Sequence, residues 1–328
     1  MSFDNIKLEK GLYTTGKSFT DALEAIDPSE NYKGTSLEGL DAYERQLKRF
    51  DIKVSGNDSD TVSKFFSTTD SSVLFPEYIS RAVKAGMDRL DKVEKIVATT
   101  TQIDSLDYRS IRFDDATDFH LEETEEGATF KDCEIKLKDE LTPLKKYGRV
   151  LNASYEAIKF QKLDVFSIAL KHIGETISND QFLSAIEVIG GCDDIKQIDI
   201  NKEELKYDGL VDMWCAAKPF NMDVIIATRD VLAKILKLPE LRDANAGLNF
   251  HGSGKMITPF GAELVYPNTG NDMPLLIGLD KYNSIEKIQA GGVLTEFDKL
   301  IDRQIERAAI STIVGFSPIY GQSIIVGN

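Results

Sequence analysis

The stretch Asn249-Phe250-His251-Gly252-Ser253-Gly254-Lys255-Met256 comes nearest to a phosphate-binding loop. Such a loop needs Gly-x4-Gly-Lys-Ser/Thr, because its backbone must curl around the phosphates and a hydroxyl must hold magnesium. Here Asn249 stands where the first glycine is required and Met256 where the hydroxyl is required, so a flexible loop is the expectation. The three histidines, His120, His172 and His251, include no i, i+4 pair of the kind that binds zinc from one helix face. His172 has no acidic or thiol partner at matching spacing and reads as packing or surface. Cys215, in Trp214-Cys215-Ala216, sits in an apolar setting that would raise a thiol pKa and leave it inert. There is no Gly-x-Ser-x-Gly elbow and no Gly-x-Gly-x-x-Gly after a strand. The carboxylate pairs Glu122-Glu123 and Glu125-Glu126 lie in a strongly polar segment and read as solvated charge rather than an acid/base pair. Asn152-Ala153-Ser154 matches a glycosylation sequon, with no secretory signal to accompany it. No catalytic residue, no cofactor and no metal is therefore expected, and the protein is not expected to be an enzyme.

The elements that would carry any function have to fit a chain of 328 residues with a formal charge of −15. That length allows two or three domains or one elongated subunit. The acidity argues against gripping nucleic acid through its phosphates. Cys133, Cys192 and Cys215 are odd in number and widely spaced, which fits buried thiols in a reducing compartment better than a disulfide framework. No stretch has the roughly 20 apolar residues of a membrane helix. Met1 to Lys10 lack the apolar core of a secretory signal, so the cytosol is the expected compartment.

The first seventy or so residues read as short helical pieces. Phe19, Leu23 and Ile26 form one apolar stripe and Leu40, Tyr43, Leu47 and Phe50 another, separated by the breaker cluster Asp27 to Asn31. Such pieces need a partner surface. Pro76 opens a better helix, with a seam of Ile79, Val83, Gly86, Leu90, Val93 and Val97, and extended chain begins near Ala98. From Asp114 to Tyr147 there are eleven Asp or Glu and five Lys, and Cys133, Ile135 and Leu137 alternate with charged residues. That pattern predicts a long hairpin connected at Glu125-Glu126-Gly127-Ala128. A hairpin with so little apolar surface is marginal alone. It lies along a neighbouring subunit, or it is an ordinary surface hairpin.

Next, Ile158, Val165, Phe166, Ala169, Ile173 and Ile177 share a helical face. Ser178 and Gln181 fit a capping box, with Ile177 and Phe182 as a staple. Two consecutive helices with a bend at Ser178, stopped at Gly190-Gly191, are expected. After the glycines the pattern turns α/β. Val224-Ile226 is a strand, and Thr228 caps a helix of Val231, Leu232, Ile235 and Leu236 closed by Pro239. Glu263-Tyr266 and Leu275-Gly278 are strands, and Arg303 to Phe316 is a long one.

Three stretches are similar to one family. Tyr147-Gly148-Arg149-Val150-Leu151-Asn152-Ala153-Ser154-Tyr155-Glu156 resembles a strand leaving an extended loop, with the Ser-x-Glu that opens a long helix. Phe260 to Pro267 with Pro274 to Asp280 resembles a pair of axial strands, and Asp302-Arg303-Gln304-Ile305-Glu306-Arg307 through Pro318 a terminal peripheral strand. In this order, over residues 72–328, they resemble the major capsid proteins of tailed bacteriophages of the Hong Kong 97 type.

The resemblance implies an α+β fold of Hong Kong 97 type. Its parts would be an N-terminal helical arm (1–72), an arm helix and extended segment (73–113), an extended β-hairpin loop (114–150), a peripheral domain with long spine helices (151–190), an axial α/β domain (191–284) and peripheral strands (285–328). It implies self-assembly into hexamers, pentamers and a whole icosahedral shell around phage double-stranded DNA, which is enclosed without sequence-specific binding. Portal and scaffolding or decoration proteins would be partners and no membrane would be involved. The virion, assembled in the host bacterial cytoplasm, would be its place. Surplus negative charge then either lets packed DNA slide along the wall or only keeps the chain soluble. Lys145, Lys146 and Arg149 are expected to offset Glu122, Glu123, Glu125 and Glu126 of adjacent copies. An encapsulin-type compartment and an unfamiliar cytosolic enzyme are the alternatives.

Overall fold

A computed structural model of the chain describes residues 3–14, 18–89, 91–112, 123–128, 130, 135–192, 194–200, 204–242, 256–268, 275–300, 302 and 305–328. The chain divides into two compact units. The first takes in Met1–Leu90, Gly148–Ile177 and Val293–Thr312, and the second Asp91–Tyr147, Ser178–Gly292 and Ile313–Asn328.

In the first unit short helices form because each has its own start signal. Helix α1 (Phe19–Ile26) is capped by Ser18, whose hydroxyl accepts the Asp21 N–H. Helix α2 (Ala42–Arg49) carries a full capping box between Asp41 and Glu44. The one-turn α3 (Thr69–Ser72) is started by Thr68 and Ser71 in the same way, and α4 (Phe75–Arg89) follows at once. Leu23, Val62, Phe65, Leu74, Ile79 and Val83 are wholly buried, so the amino-terminal pieces supply part of the core rather than hang from it. Phe65, Phe66, Phe75, Tyr78 and Phe166 make a connected set of ring contacts. After α5 (Tyr155–Phe160) the backbone pauses. Val62 donates to the Gln161 carbonyl and Leu163 to that of Asp60. Then α6 runs from Leu163 to Gly190.

Three expectations change here. Helix α6 is continuous over 28 residues, so no second helix starts at Ser178. Ser178 and Gln181 are buried inside it. A capping pattern can start a helix but cannot interrupt one, and no proline or left-handed residue breaks the backbone ladder there. The break lies instead at Gln161-Lys162, made by partners a hundred residues away. The buried face also differs. Leu163, Ser167, Leu170, Gly174 and Ile177 face inward, while Val165 and Ala169 are exposed. The expected seam of α4 stops at Arg89. Val93 and Val97 are not helical and pack in the core of the second unit.

The strands are β1 (Thr99–Ile103), β2 (Ile111–Arg112), β3 (Lys136–Leu137), β4 (Leu144–Ser154), β5 (Lys196–Ile198), β6 (Val224–Ala227), β7 (Glu263–Val265), β8 (Leu276–Leu279), β9 (Ile285–Leu300), β10 (Ile305–Pro318) and β11 (Ile324–Gly327). In the second unit a mixed sheet is ordered β5-β11-β8-β6-β7, with Ile225 opposite Gly278 and Leu264. Period-two alternation splits its side chains between two cores. Ile225, Ala227, Leu276 and Ile325 face α7 (Tyr207–Ala216), α8 (Arg229–Leu236) and α9 (Pro239–Arg242). Val224, Ile226, Ile277 and Leu279 face Phe182, Ala185 and Ile189 of α6 together with Val93 and Val97. A Cβ on Gly278 would sit 2.4 Å from the Met222 sulfur, so a larger residue there requires Met222 to move. Thr228 stands at the N-cap of α8, but its hydroxyl accepts the Leu275 N–H instead of a helix N–H. Pro239 does not simply close α8, because it opens α9. The second sheet is ordered β1-β9-β10-β4, with β1 parallel to β9.

Candidate assembly surface

The acidic loop emerges from a built base. Strands β2 and β3 pair antiparallel, Ile111 opposite Leu137 and Arg112 opposite Lys136. Lys138 donates its N–H to the Ser110 carbonyl and Thr142 to that of Tyr108, which ties the two legs together. Each leg is then bolted to a strand of the second unit. On the outgoing leg, the nearly buried Glu286 of β9 accepts from Tyr108 Oη at 2.6 Å and Ser110 Oγ at 2.5 Å, and from Thr101 Oγ1 of β1 at 2.5 Å. Burial and the Glu286 carboxylate push the Tyr108 pKa up. On the return leg, Lys138 Nζ donates to Ser317 Oγ at 2.8 Å and to the Pro318 carbonyl at 2.6 Å. Sequence reading missed Glu286 and Lys138. The available signal was the charged pair Glu286-Lys287 inside the apolar run Ile285 to Ile288, both of them buried.

On and around this base Leu106, Ile111, Leu137 and Leu141 are exposed, and beyond it Ile135 and Phe130, the latter to 79%. The turn expected at Glu125-Ala128 is present: Ala128 donates to the Glu125 carbonyl and Gly127 has φ +83°. Glu123, Glu125 and Glu126 are exposed, whereas Glu122 lies outside the described residues. Lys145, Lys146 and Arg149 are exposed on β4. Lys145 is occupied within its own chain, 2.8 Å from Glu187, and that hydrogen bond raises its pKa. Among the described residues no ion pair joins Glu123, Glu125 or Glu126 to Lys145, Lys146 or Arg149 inside one chain.

Cys215 is exposed and Cys192 half-buried, which corrects the expectation of buried thiols. On α7 it is Leu210 and Met213 that face inward, and Cys215, two residues on, falls on the opposite side. His172 is exposed and does have an acidic neighbour, Glu175 at 3.6 Å one turn on. Cys133, His120, His251 and residues 249–255 lie outside the described residues. Among the described residues no group of three or more His, Cys, Asp or Glu is placed to hold a metal ion, and no helix is long and apolar enough to cross a membrane.

No protein-family model matches the chain, and no curated protein matches it in sequence. Solved structures do match. A virus-like particle from Pyrococcus furiosus superposes with a TM-score of 0.53 at 15% identity, over 77% of this chain and 98% of that one. The capsid of a native GTA particle gives 0.51 at 11% identity, over 74% and 89%. The holo-SrpI encapsulin complex from Synechococcus elongatus PCC 7942 gives 0.50 at 9% identity, over 73% and 88%. The chain thus has the α+β Hong Kong 97-type fold found in capsids and encapsulins, as the resemblance implied.

Proposed function

We propose that this chain is the major capsid protein of a tailed bacteriophage, a structural element rather than an enzyme. Its copies close through hexamers and pentamers into an icosahedral shell around double-stranded DNA. The observation that carries this reading is the acidic loop. It stands on a doubly anchored base, yet it exposes Phe130, Ile135, Leu137 and Leu141, and among the described residues Glu123, Glu125 and Glu126 have no ion-pair partner. Exposed apolar side chains in series mark an interaction surface. Rings of five and six need such heterologous contacts, in which one face of a copy meets a different face of the next. Many weak contacts closing on one another give a stable whole.

In this reading Glu122, Glu123, Glu125 and Glu126 of one copy meet Lys146 and Arg149 of the next, with Lys145 joining if it leaves Glu187. Exposed pairs of this kind contribute about 0–1 kcal/mol each, so they set register, while the apolar side chains supply most of the stabilisation. The wall encloses DNA without gripping it. Portal and scaffolding or decoration proteins complete the particle, which forms in the host bacterial cytoplasm.

The test is negative-stain microscopy of the purified chain and of a variant lacking residues 123–128. Closed shells or five- and six-fold rings from the parent, and a folded but non-assembling variant, are the expected results. Normal shells from the variant would remove the loop from the mechanism. A second reading, an encapsulin-like compartment, is favoured by the likeness to an encapsulin complex. Portal and terminase genes beside this one, and DNA rather than an enzyme inside the particle, separate the two.

A further inference from the structure

Tyr266 has two cations on its ring. The Lys92 ammonium lies 4.4 Å from the ring centroid and the Arg229 guanidinium carbon 5.1 Å. Both are fixed in place. Lys92 Nζ donates to the Tyr266 carbonyl at 2.7 Å, and Arg229 Nη2 donates to Asn268 Oδ1 at 2.6 Å. Asn268 is itself held by a reciprocal pair with Asn179, each backbone-to-amide bond being 2.9 Å.

Glu263, Asp91 and Glu94 have partners of their own. Glu263 takes Lys95 at 2.5 Å. Asp91 accepts the Glu94 N–H, and Glu94 lies 3.8 Å from Lys287. Among the described residues no carboxylate comes within ion-pair distance of Lys92 or Arg229. Burial and the neighbouring charges of Arg229 and Lys95 push the Lys92 pKa down to about 8. Two immobilised cations with no counter-ion among the described residues cost free energy that an arriving anion would recover.

We propose that Lys92 and Arg229 form an oxyanion site that takes a carboxylate from the acidic loop of a second copy. This rests on the shell-forming reading above, and it adds a receptor that the reading did not contain. The argument for this occupant is charge complementarity. The chain carries −15 overall, so an incoming copy is repelled except where cations stand unneutralised. Residues 114–147 carry eleven acids against five lysines, and Glu123, Glu125 and Glu126 are exposed and unpaired. That is enough for this site as well as for Lys146 and Arg149. A fixed pair of donors loses less side-chain entropy on binding than free surface lysines do.

The test uses the full-length chain as subunits, a synthetic peptide covering residues 118–128, and the pH dependence of acylation of the Lys92 amine read by mass spectrometry. The peptide should raise the Lys92 midpoint by about one pH unit, because a carboxylate beside an ammonium favours its charged form. Lys92→Glu and Arg229→Glu should each weaken peptide binding on the order of tenfold. The milder Lys92→Met and Arg229→Gln serve if the reversals fail to fold. An unchanged midpoint would overturn the proposal. So would an equal effect from a peptide with glutamine at every glutamate, or from inorganic phosphate at the same concentration. Shell formation by the parent chain is scored separately by microscopy, so failure of the shell reading and failure of this site are distinguishable.

Discussion

A Cβ added to Gly86 would lie 2.0 Å from the carbonyl oxygen of Lys171. The reverse holds one turn away, where a Cβ on Gly174 would lie 2.0 Å from the Val83 carbonyl. Helices α4 and α6 therefore cross backbone against backbone. Gly86→Ala gains about 1 kcal/mol of helix propensity, but the helices must separate to admit the methyl group. Overpacking of this kind costs about 1–3 kcal/mol, and here the obstacle is rigid backbone rather than a flexible side chain, so the cost wins. The expected outcome is a lower urea midpoint at unchanged m-value for Gly86→Ala and Gly174→Ala. Parental stability in both would refute the close crossing.

Arg45 is fully buried and its guanidinium meets groups of the amino-terminal region. It bonds Asp27 Oδ2 at 2.9 Å, Ser29 Oγ at 2.8 Å and the carbonyls of Leu40 and Asp27, and it stacks on Tyr32. Arg45→Met leaves the buried Asp27 carboxylate uncompensated and should cost about 3–5 kcal/mol. Arg45→Met with Asp27→Leu should recover part of that loss, with the Asp27 carbonyl that loses its guanidinium donor limiting the recovery. A double-mutant cycle by chemical denaturation checks both statements, and strictly additive losses would contradict them.

Glu286→Ala removes the acceptor of three hydroxyl donors at the root of the loop. Hydrogen bonds to a charged group are worth about 1.5–3 kcal/mol each, and the loss should fall on the outgoing leg. Hydrogen exchange at 104–112 should rise by more than exchange in β6 and β8, which keep all their ladder bonds. Glu286→Gln, which keeps one acceptor oxygen, should lie between. Uniform acceleration across the chain would indicate a general packing role instead.

Asp223 has its pKa raised by burial, and then by the charge of Asp280. One carboxylate oxygen of Asp223 is buried with no partner. A raised carboxylate pKa means that the folded chain binds this proton more tightly than the unfolded chain does. The contribution is therefore unfavourable above the raised folded-state value, and it fades as pH falls toward the ordinary aspartate range. Asp223→Asn should raise the thermal midpoint at neutral pH and converge with the parent in acid. Melting curves at pH 7.5 and pH 4 measure this, and a variant less stable at neutral pH would show that the charge is needed.

Much of the order of elements was legible because periodicity and turn chemistry are local. The stripe of Phe19 and Leu23, the run Val224-Ile226 and the glycine stop at 190–191 each declare themselves within a few residues. The turn at Glu125-Ala128 was legible for the same reason, since the residues that make it are neighbours in the chain. What misled was local as well. Ser178 and Gln181 carry a helix-start pattern, yet they lie in the middle of α6, because the partners that break the chain at Gln161 are Val62 and Asp60.

Sequence alone therefore determined the fold class, through element types and their order. Only the tertiary structure decided which charges are free. Lys145 reads as an open cation until Glu187, 42 residues away, arrives beside it. Glu286 reads as surface until Tyr108 and Ser110 bury it, and Lys92 and Arg229 come together only across the ring of Tyr266. Ionic and hydrogen-bonding partners are chosen by distance in space, and distances between residues far apart in sequence have no local signature.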